Sequence, residues 1–222
     1  MLTCYNMSLT PSFKLNKGEF TSNIFTMDVK IYVIDTAKAD MGTIRNSIFI
    51  SDGDLQEVSR YKVLESYNEK LASFYLKNKY IGKYHLGERG KPLSESFFFN
   101  VSHSKGMVVL AIADNDIGID IEKIRPVKED FIGYVCNEEE RKYVKDNRSF
   151  FEVWTNKESL LKADGRGISS RVDEVPGLPI DGIRVYEEKE YRSASALYED
   201  YVLTVTILGK ETITMEIEEE RI

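Results

Sequence analysis

The chain has 222 residues, 42% of them hydrophobic and 11% aromatic, which is enough apolar material for a sizeable core and excludes a disordered or low-complexity chain. Lys and Arg number 30 against 37 Asp and Glu, a formal net charge of -7. That balance excludes a general nucleic-acid binder, although it leaves room for one anionic ligand beside a local basic patch. The two cysteines, Cys4 and Cys136, have no CxxC spacing, so neither a disulfide framework nor a structural zinc site is expected, and a reducing cytoplasm is the expected compartment. The first 30 residues hold no apolar block of the signal-peptide kind, and no apolar run of about 18 residues occurs, so no membrane partner is expected.

In chain order, residues 1–26 show no period and read as an N-terminal extension of unknown role. The fold is expected to begin near Met27, itself a candidate start, with the strand-like run MDVKIYVID. Residues 54–81 read as one long helix, with Leu55, Val58, Leu64, Leu71, Phe74, Tyr75 and Ile81 near helical spacing and Asp54 as N-cap to Glu57. The segment 60–91 holds 8 basic and 3 acidic side chains; it is either a solvated helix face or a strip that faces phosphate. Strands follow at 97–101, 107–113 and 117–121, with Asp114-Asn115-Asp116 read as the turn of a hairpin. Asn137 with Glu140 predicts a capped, charged helix to about Asp146, and Phe150 to Ala163 predicts a third helix that ends at Gly165-Arg166-Gly167. Further strands are expected at 182–186, 194–197, 201–208 and 212–218. Helices interleaved with hairpins favour α+β. The expected division is a first half over 27–116 and a second over 117–222.

Three constellations carry chemistry. In Gly118-Ile119-Asp120-Ile121-Glu122, strand alternation places Asp120 and Glu122 on one face and the isoleucines on the other. Two such carboxylates belong either to a polar outer face or to a hard divalent cation such as magnesium. In the run from Trp154 to Lys162, helical spacing aligns Trp154, Glu158 and Lys162; Glu158 and Lys162 form either a surface ion pair or, with Lys157, part of the same metal and anion site. In Asn100-Val101-Ser102-His103-Ser104, His103 is either a structural histidine or, with Ser102, a donor to phosphate oxygens. No GxSxG elbow, Walker A sequence or GxGxxG is present, which disfavours a serine hydrolase of that type, a P-loop nucleotidase and a dinucleotide dehydrogenase.

Taken in order, Gly90-Lys91-Pro92, Phe99-Asn100-Val101-Ser102-His103-Ser104, Gly118-Ile119-Asp120-Ile121-Glu122 and Trp154-Thr155-Asn156-Lys157-Glu158-Ser159-Leu160-Leu161-Lys162, with Gly165 and Gly167, resemble the 4'-phosphopantetheinyl transferase superfamily in its longer, single-chain, Sfp-type form. The resemblance covers roughly residues 28–210. The short trimeric acyl-carrier-protein synthase form has about half this length. The resemblance implies two similar α/β subdomains related by a pseudo-twofold axis, with coenzyme A and magnesium in the cleft between them. It also implies transfer of phosphopantetheine from coenzyme A to a serine of an apo acyl or peptidyl carrier protein, with release of 3',5'-ADP.

By position, the resemblance makes Asp120, Glu122 and Glu158 the metal ligands. Lys91, Ser102 and His103 become contacts to the phosphates of coenzyme A, Lys157 and Lys162 contacts to its pyrophosphate, and Arg60 a looser contact near the ADP portion. Glu158, Lys162 and His103 are the implied catalytic residues, and the enzyme is expected to be a monomer. Lys105 departs from the pattern, standing where the family commonly has glycine. Cys136 and Asn137 depart as well, standing where an aromatic and a Ser or Thr are usual. The other class of reading is a non-catalytic module that binds coenzyme A or a carrier protein and transfers nothing.

Overall fold

The computed structural model describes residues 26–87, 90–167 and 171–222; the N-terminal extension therefore lies outside the described residues, apart from Thr26. The first half contains β1 (Thr26–Asp35), α1 (Met41–Arg45), α2 (Asp52–Val58), α3 (Leu64–Tyr80), the short pair β2 (His85–Leu86) and β3 (Pro92–Leu93), β4 (Phe98–Ser104) and β5 (Met107–Ala113). The second contains β6 (Ile117–Lys123), α4 (Glu129–Val135), α5 (Glu138–Tyr143), α6 (Asn147–Asp164), β7 (Gly182–Tyr186), β8 (Lys189–Tyr198), β9 (Tyr201–Leu208) and β10 (Thr212–Glu219). The architecture is α+β, as the interleaved pattern implied. Among the described residues no helix is long and apolar enough to cross a membrane.

Two four-stranded sheets form, in the orders β10-β1-β5-β4 and β6-β9-β8-β7. Each half runs strand, helices, antiparallel hairpin, and in each the opening strand pairs with the hairpin's last strand, β1 with β5 and β6 with β9. The expected boundary needs one correction. Strand β10 returns to the first sheet and pairs in parallel with β1 from Thr26↔Thr212 to Val33↔Glu219, so residues 212–219 complete the first half rather than the second.

The sequence alternation explains the layers. Val29, Ile31 and Val33 of β1, Val109 and Ala111 of β5, Ile117, Ile119 and Ile121 of β6, and Leu203, Val205 and Ile207 of β9 form one apolar core between the sheets. The opposite face of the first sheet, with Tyr32, Ile34, Val108 and Leu110, packs on Leu71, Phe74, Tyr75 and Leu76 of α3. The opposite face of the second sheet is polar where α6 crosses it. Thr155 is hydrogen-bonded to Thr204 at 2.7 Å and Ser159 to Thr206 at 2.7 Å, while Asn156 donates to Ser195 Oγ at 3.0 Å. The hydroxyls pair with one another, although Asn156 Oδ1 is left without a partner, and the set fixes the register of the helix on the sheet.

Three local expectations change. The helix over 54–81 is two helices, because residues 59–63 offer no apolar side chain to the core: Tyr61 and Val63 are exposed. The N-cap is Ser51, with Asp54 as its reciprocal partner, rather than Asp54 with Glu57; both pairs fit the same spacing rule. The turn at Asp114–Asp116 joins no hairpin, since β5 and β6 lie in different sheets. The tight turn is Lys105-Gly106, where both residues have positive φ, 50° and 85°, as a two-residue hairpin loop requires. The capping box of Asn137 and Glu140 is present, and α6 ends on Gly165 at φ 81°.

Gly118 sets the distance between β6 and α6. A Cβ there would lie 2.0 Å from Ser159 O and 2.4 Å from Ala163 N, so any side chain forces the helix off the strand. Gly118→Ala is expected to destabilise the fold by about 3 kcal/mol or more and to lower the thermal midpoint accordingly; a midpoint like that of the wild type would show that this close approach is not required.

Candidate active site

Strand β4 lies beside β6 although the two belong to different sheets. The contact is made by side chains. Asn100 Oδ1 accepts from Ile119 N at 3.2 Å, Ser102 Oγ donates to Asp120 Oδ1 at 2.8 Å, and Ser104 Oγ donates to Glu122 Oε2 at 2.7 Å. Strand alternation puts Asn100, Ser102 and Ser104 on one face of β4, which is why three short polar residues at i, i+2, i+4 face the same neighbour.

The close approach at Gly118 lets α6 add to this seam. Lys162 Nζ donates to Asp120 Oδ1 at 2.6 Å, to Ser102 Oγ at 2.9 Å and to Ile119 O at 3.2 Å. Glu158, one turn earlier, is 6% exposed and Asp120 is 5% exposed. Burial pushes the Glu158 carboxyl up to about 7, with the charges of Asp120 and Glu122 adding to the shift and Lys162 opposing it. Burial likewise raises Asp120 above the ordinary carboxylate range, against the pull of Lys162 and Ser102. Glu122 lies nearer the surface, where Arg125 Nη1 donates to its Oε2 at 2.8 Å while the guanidinium stands 4.7 Å over the Phe151 ring.

Two buried oxygens in this cluster, Asp120 Oδ2 and Glu158 Oε1, have no hydrogen-bond partner. Buried polar atoms are ordinarily paired, so two orphaned carboxylate oxygens on facing elements call for a cation or a proton. With one Lys and one Arg drawn onto these acids, the side chains are not gathered about a common point. Among the described residues no group of three or more His, Cys, Asp or Glu could hold a metal ion as it stands. The donor set is nonetheless all oxygen, the chemistry that suits a hard divalent cation.

The remaining expected residues divide. Lys91 Nζ bridges the halves, donating to Ala163 O at 2.9 Å and meeting Asp116 Oδ1 at 3.3 Å; a cation there complements the C-terminal end of α6. His103 projects from the face of β4 opposite to Ser102. Its Nδ1 lies 3.2 Å from Glu69 Oε2. Arg60 is exposed on the turn after α2. Lys157 is the correction: it has no exposed surface, so it cannot meet a pyrophosphate. Its Nζ pairs with Glu140 Oε2 at 2.6 Å and donates to Val135 O and Val172 O. Adjacent helix residues point about 100° apart, and Lys157 points into the body of the second half while Glu158 points to the seam.

Sequence reasoning did not single out Ser104, Arg125, Glu69 or Glu140 as parts of this arrangement. Ser104 was findable from the two-residue period of β4. The acids that answer His103 and Lys157 come from other elements and leave no local signal.

A family model described as the 4'-phosphopantetheinyl transferase superfamily matches residues 116–206, which carry β6, α6 and the β7–β9 strands. Over these residues the chain is similar to that superfamily. It is 39% identical over 88 residues to the 4'-phosphopantetheinyl transferase gsp of Aneurinibacillus migulanus, covering 36% of this chain and 37% of that one. With 4'-phosphopantetheinyl transferase Sfp of Bacillus subtilis (strain 168) it is 34% identical over 95 residues, 39% of this chain and 42% of that one. A longer match, 28% identical over 227 residues, covers 79% of this chain and 85% of the L-aminoadipate-semialdehyde dehydrogenase-phosphopantetheinyl transferase of Schizosaccharomyces pombe (strain 972 / ATCC 24843). The chain thus spans about two fifths of the length of the two bacterial relatives.

Two outcomes test this geometry. The folded value of Glu158, about 7, exceeds its ordinary 4.5, so its contribution to stability is fully present below pH 4.5 and lost as pH rises through about 7. With chelator present, the difference in unfolding free energy between wild type and Glu158→Gln should fall over that window by on the order of 3 kcal/mol; a flat difference would place the carboxyl in solvent. Lys157→Ala should cost about 3–5 kcal/mol by stranding Glu140; a variant with normal melting but weakened ligand binding would return Lys157 to the ligand site.

Proposed function

We propose that the chain transfers 4'-phosphopantetheine from coenzyme A to the hydroxyl of a carrier-protein serine and releases 3',5'-ADP, with magnesium as the metal. The observation that carries this reading is the pair of buried, unpartnered carboxylate oxygens on Asp120 and Glu158, set beside Lys162 at a seam between two halves of the chain. A protein that only bound a carrier would have no use for carboxylates held in that costly state. The repeated strand–helix–hairpin order supports a pseudo-twofold relation between the halves, and Lys91 and Lys162 at the junction support an anionic ligand despite the net negative charge, whereas Lys70 and Lys79 of the basic segment are paired with Glu57 and Glu220.

On this reading Asp120, Glu122 and Glu158 would hold the metal, which would supply positive charge to a bound pyrophosphate. Glu158, directly or through a water, accepts the proton of the incoming serine hydroxyl. Lys162, already at hydrogen-bond distance from both Ser102 and Asp120, moves its charge onto the oxygens that become negative in the transition state. Lys91 and His103 bind the phosphates of coenzyme A, and Arg60 lies on the same basic segment. The carrier, acyl or peptidyl, is the protein partner.

Incubating the protein with coenzyme A, magnesium and an apo carrier should add the mass of one phosphopantetheinyl group to the carrier. Glu158→Gln should lower the rate by at least about 100-fold while the protein stays folded, and Asp120→Ala should shift the magnesium titration. Binding of coenzyme A without any mass gain across fatty-acid, polyketide and peptide carriers would favour the non-catalytic module instead.

A further inference from the structure

We propose that Glu69 is the positioning residue for His103: its carboxylate holds the ring at Nδ1 and so presents the other nitrogen, Nε2, to a phosphate of the anionic ligand. The inference rests on the coenzyme A reading above and adds a residue to it.

Glu69 lies on α3 and is 5% exposed, a buried acid within the most basic segment of the chain. Burial is the largest influence on it and favours the neutral acid, yet bonds from His103 and Gly106 bring its carboxyl below the ordinary range. Both oxygens are engaged. Oε1 accepts from Gly106 N at 2.8 Å, and Oε2 faces His103 Nδ1 at 3.2 Å. The first bond fixes the Lys105-Gly106 turn on α3, and the second fixes the ring that precedes it. The nearby Lys105 lies 3.6 Å from Glu65 and adds a longer-range attraction to Glu69, but the side chain that meets Glu69 Oε2 is His103.

A half-exposed imidazole on a strand end can ordinarily flip its ring and exchange tautomers. A buried carboxylate at Nδ1 removes that freedom, as outer carboxylates do for metal-bound histidines. An imidazolium then spends one N–H on Glu69 and has one left for an anion. Ser102 takes no part, because it faces the other side of β4.

The first test uses the unliganded full chain. Ring-nitrogen NMR at alkaline pH should find the His103 proton on Nδ1. In Glu69→Gln, Oε1 still serves Gly106 while an amide NH2 replaces the oxygen that faced the ring, so the proton should move to Nε2. The same variant should raise KM for coenzyme A about tenfold and leave kcat nearly unchanged. In a His103→Ala background it should add nothing further to KM.

A wild-type proton on Nε2, or an equal effect of Glu69→Gln with and without His103, would overturn the role of Glu69 and leave the coenzyme A reading intact. Should Glu69→Gln not fold, the wild-type spectrum and the KM of Glu69→Asp, which keeps the charge and should stay nearer wild type than His103→Ala, decide the same point. A wild-type protein that binds neither coenzyme A nor 3',5'-ADP would overturn the underlying reading, and the ligand with it.

Discussion

The structure depends on a seam between two strands that share no sheet. Asn100, Ser102 and Ser104 of β4 reach across to Ile119, Asp120 and Glu122 of β6, so side chains do the work that a backbone ladder does elsewhere. The arrangement joins the halves and, by the same bonds, places acids at the junction. A ladder would have satisfied the strands and left no reason for Asp120 to be buried there.

Helix α6 completes the seam because Gly118 allows it to lie against β6 and because the polar layer of Thr155, Asn156, Ser159, Thr204 and Thr206 fixes its rotation. Rotation decides which side chains face the acids. Glu158 and Lys162 do, one turn apart; Lys157 points away and closes an ion pair with Glu140 in the interior. Two adjacent charged residues thus have different trades. One sits with strained electrostatics at the junction, and the other bolts the helix that holds it there. Burial gives both their character: a buried lysine with a carboxylate and two carbonyls is satisfied, whereas a buried carboxyl with an unpartnered oxygen is not.

Much of this was legible in the sequence where a short period governs it. The alternation in Ile117–Glu122 gave the facing of Asp120 and Glu122, and helical spacing aligned Glu158 with Lys162. Gly165 marked the end of α6. What escaped has a common physical cause. The break between α2 and α3 reflects the absence of core contacts at 59–63, and the Lys105-Gly106 turn lacks the usual Asn-Gly signal. The return of β10 to β1, the burial of Lys157 against Glu140 and the pairing of Glu69 with His103 are contacts between distant segments. Local pattern is silent about such contacts. The resemblance to a transferase family supplied roles by position, and only the three-dimensional placement separated Ser102 from His103 and removed Lys157 from the ligand contacts.

The central claim is that the orphaned oxygens of Asp120 and Glu158 are poised for a divalent cation. Anomalous diffraction from crystals grown with manganese, an oxygen-preferring substitute for magnesium, tests it most directly. The account expects one strong peak at the seam, coordinated by Asp120, Glu122 and Glu158, with Lys162 displaced from Asp120. A manganese-saturated crystal without a peak there, its Lys162–Asp120 contact intact, would contradict it.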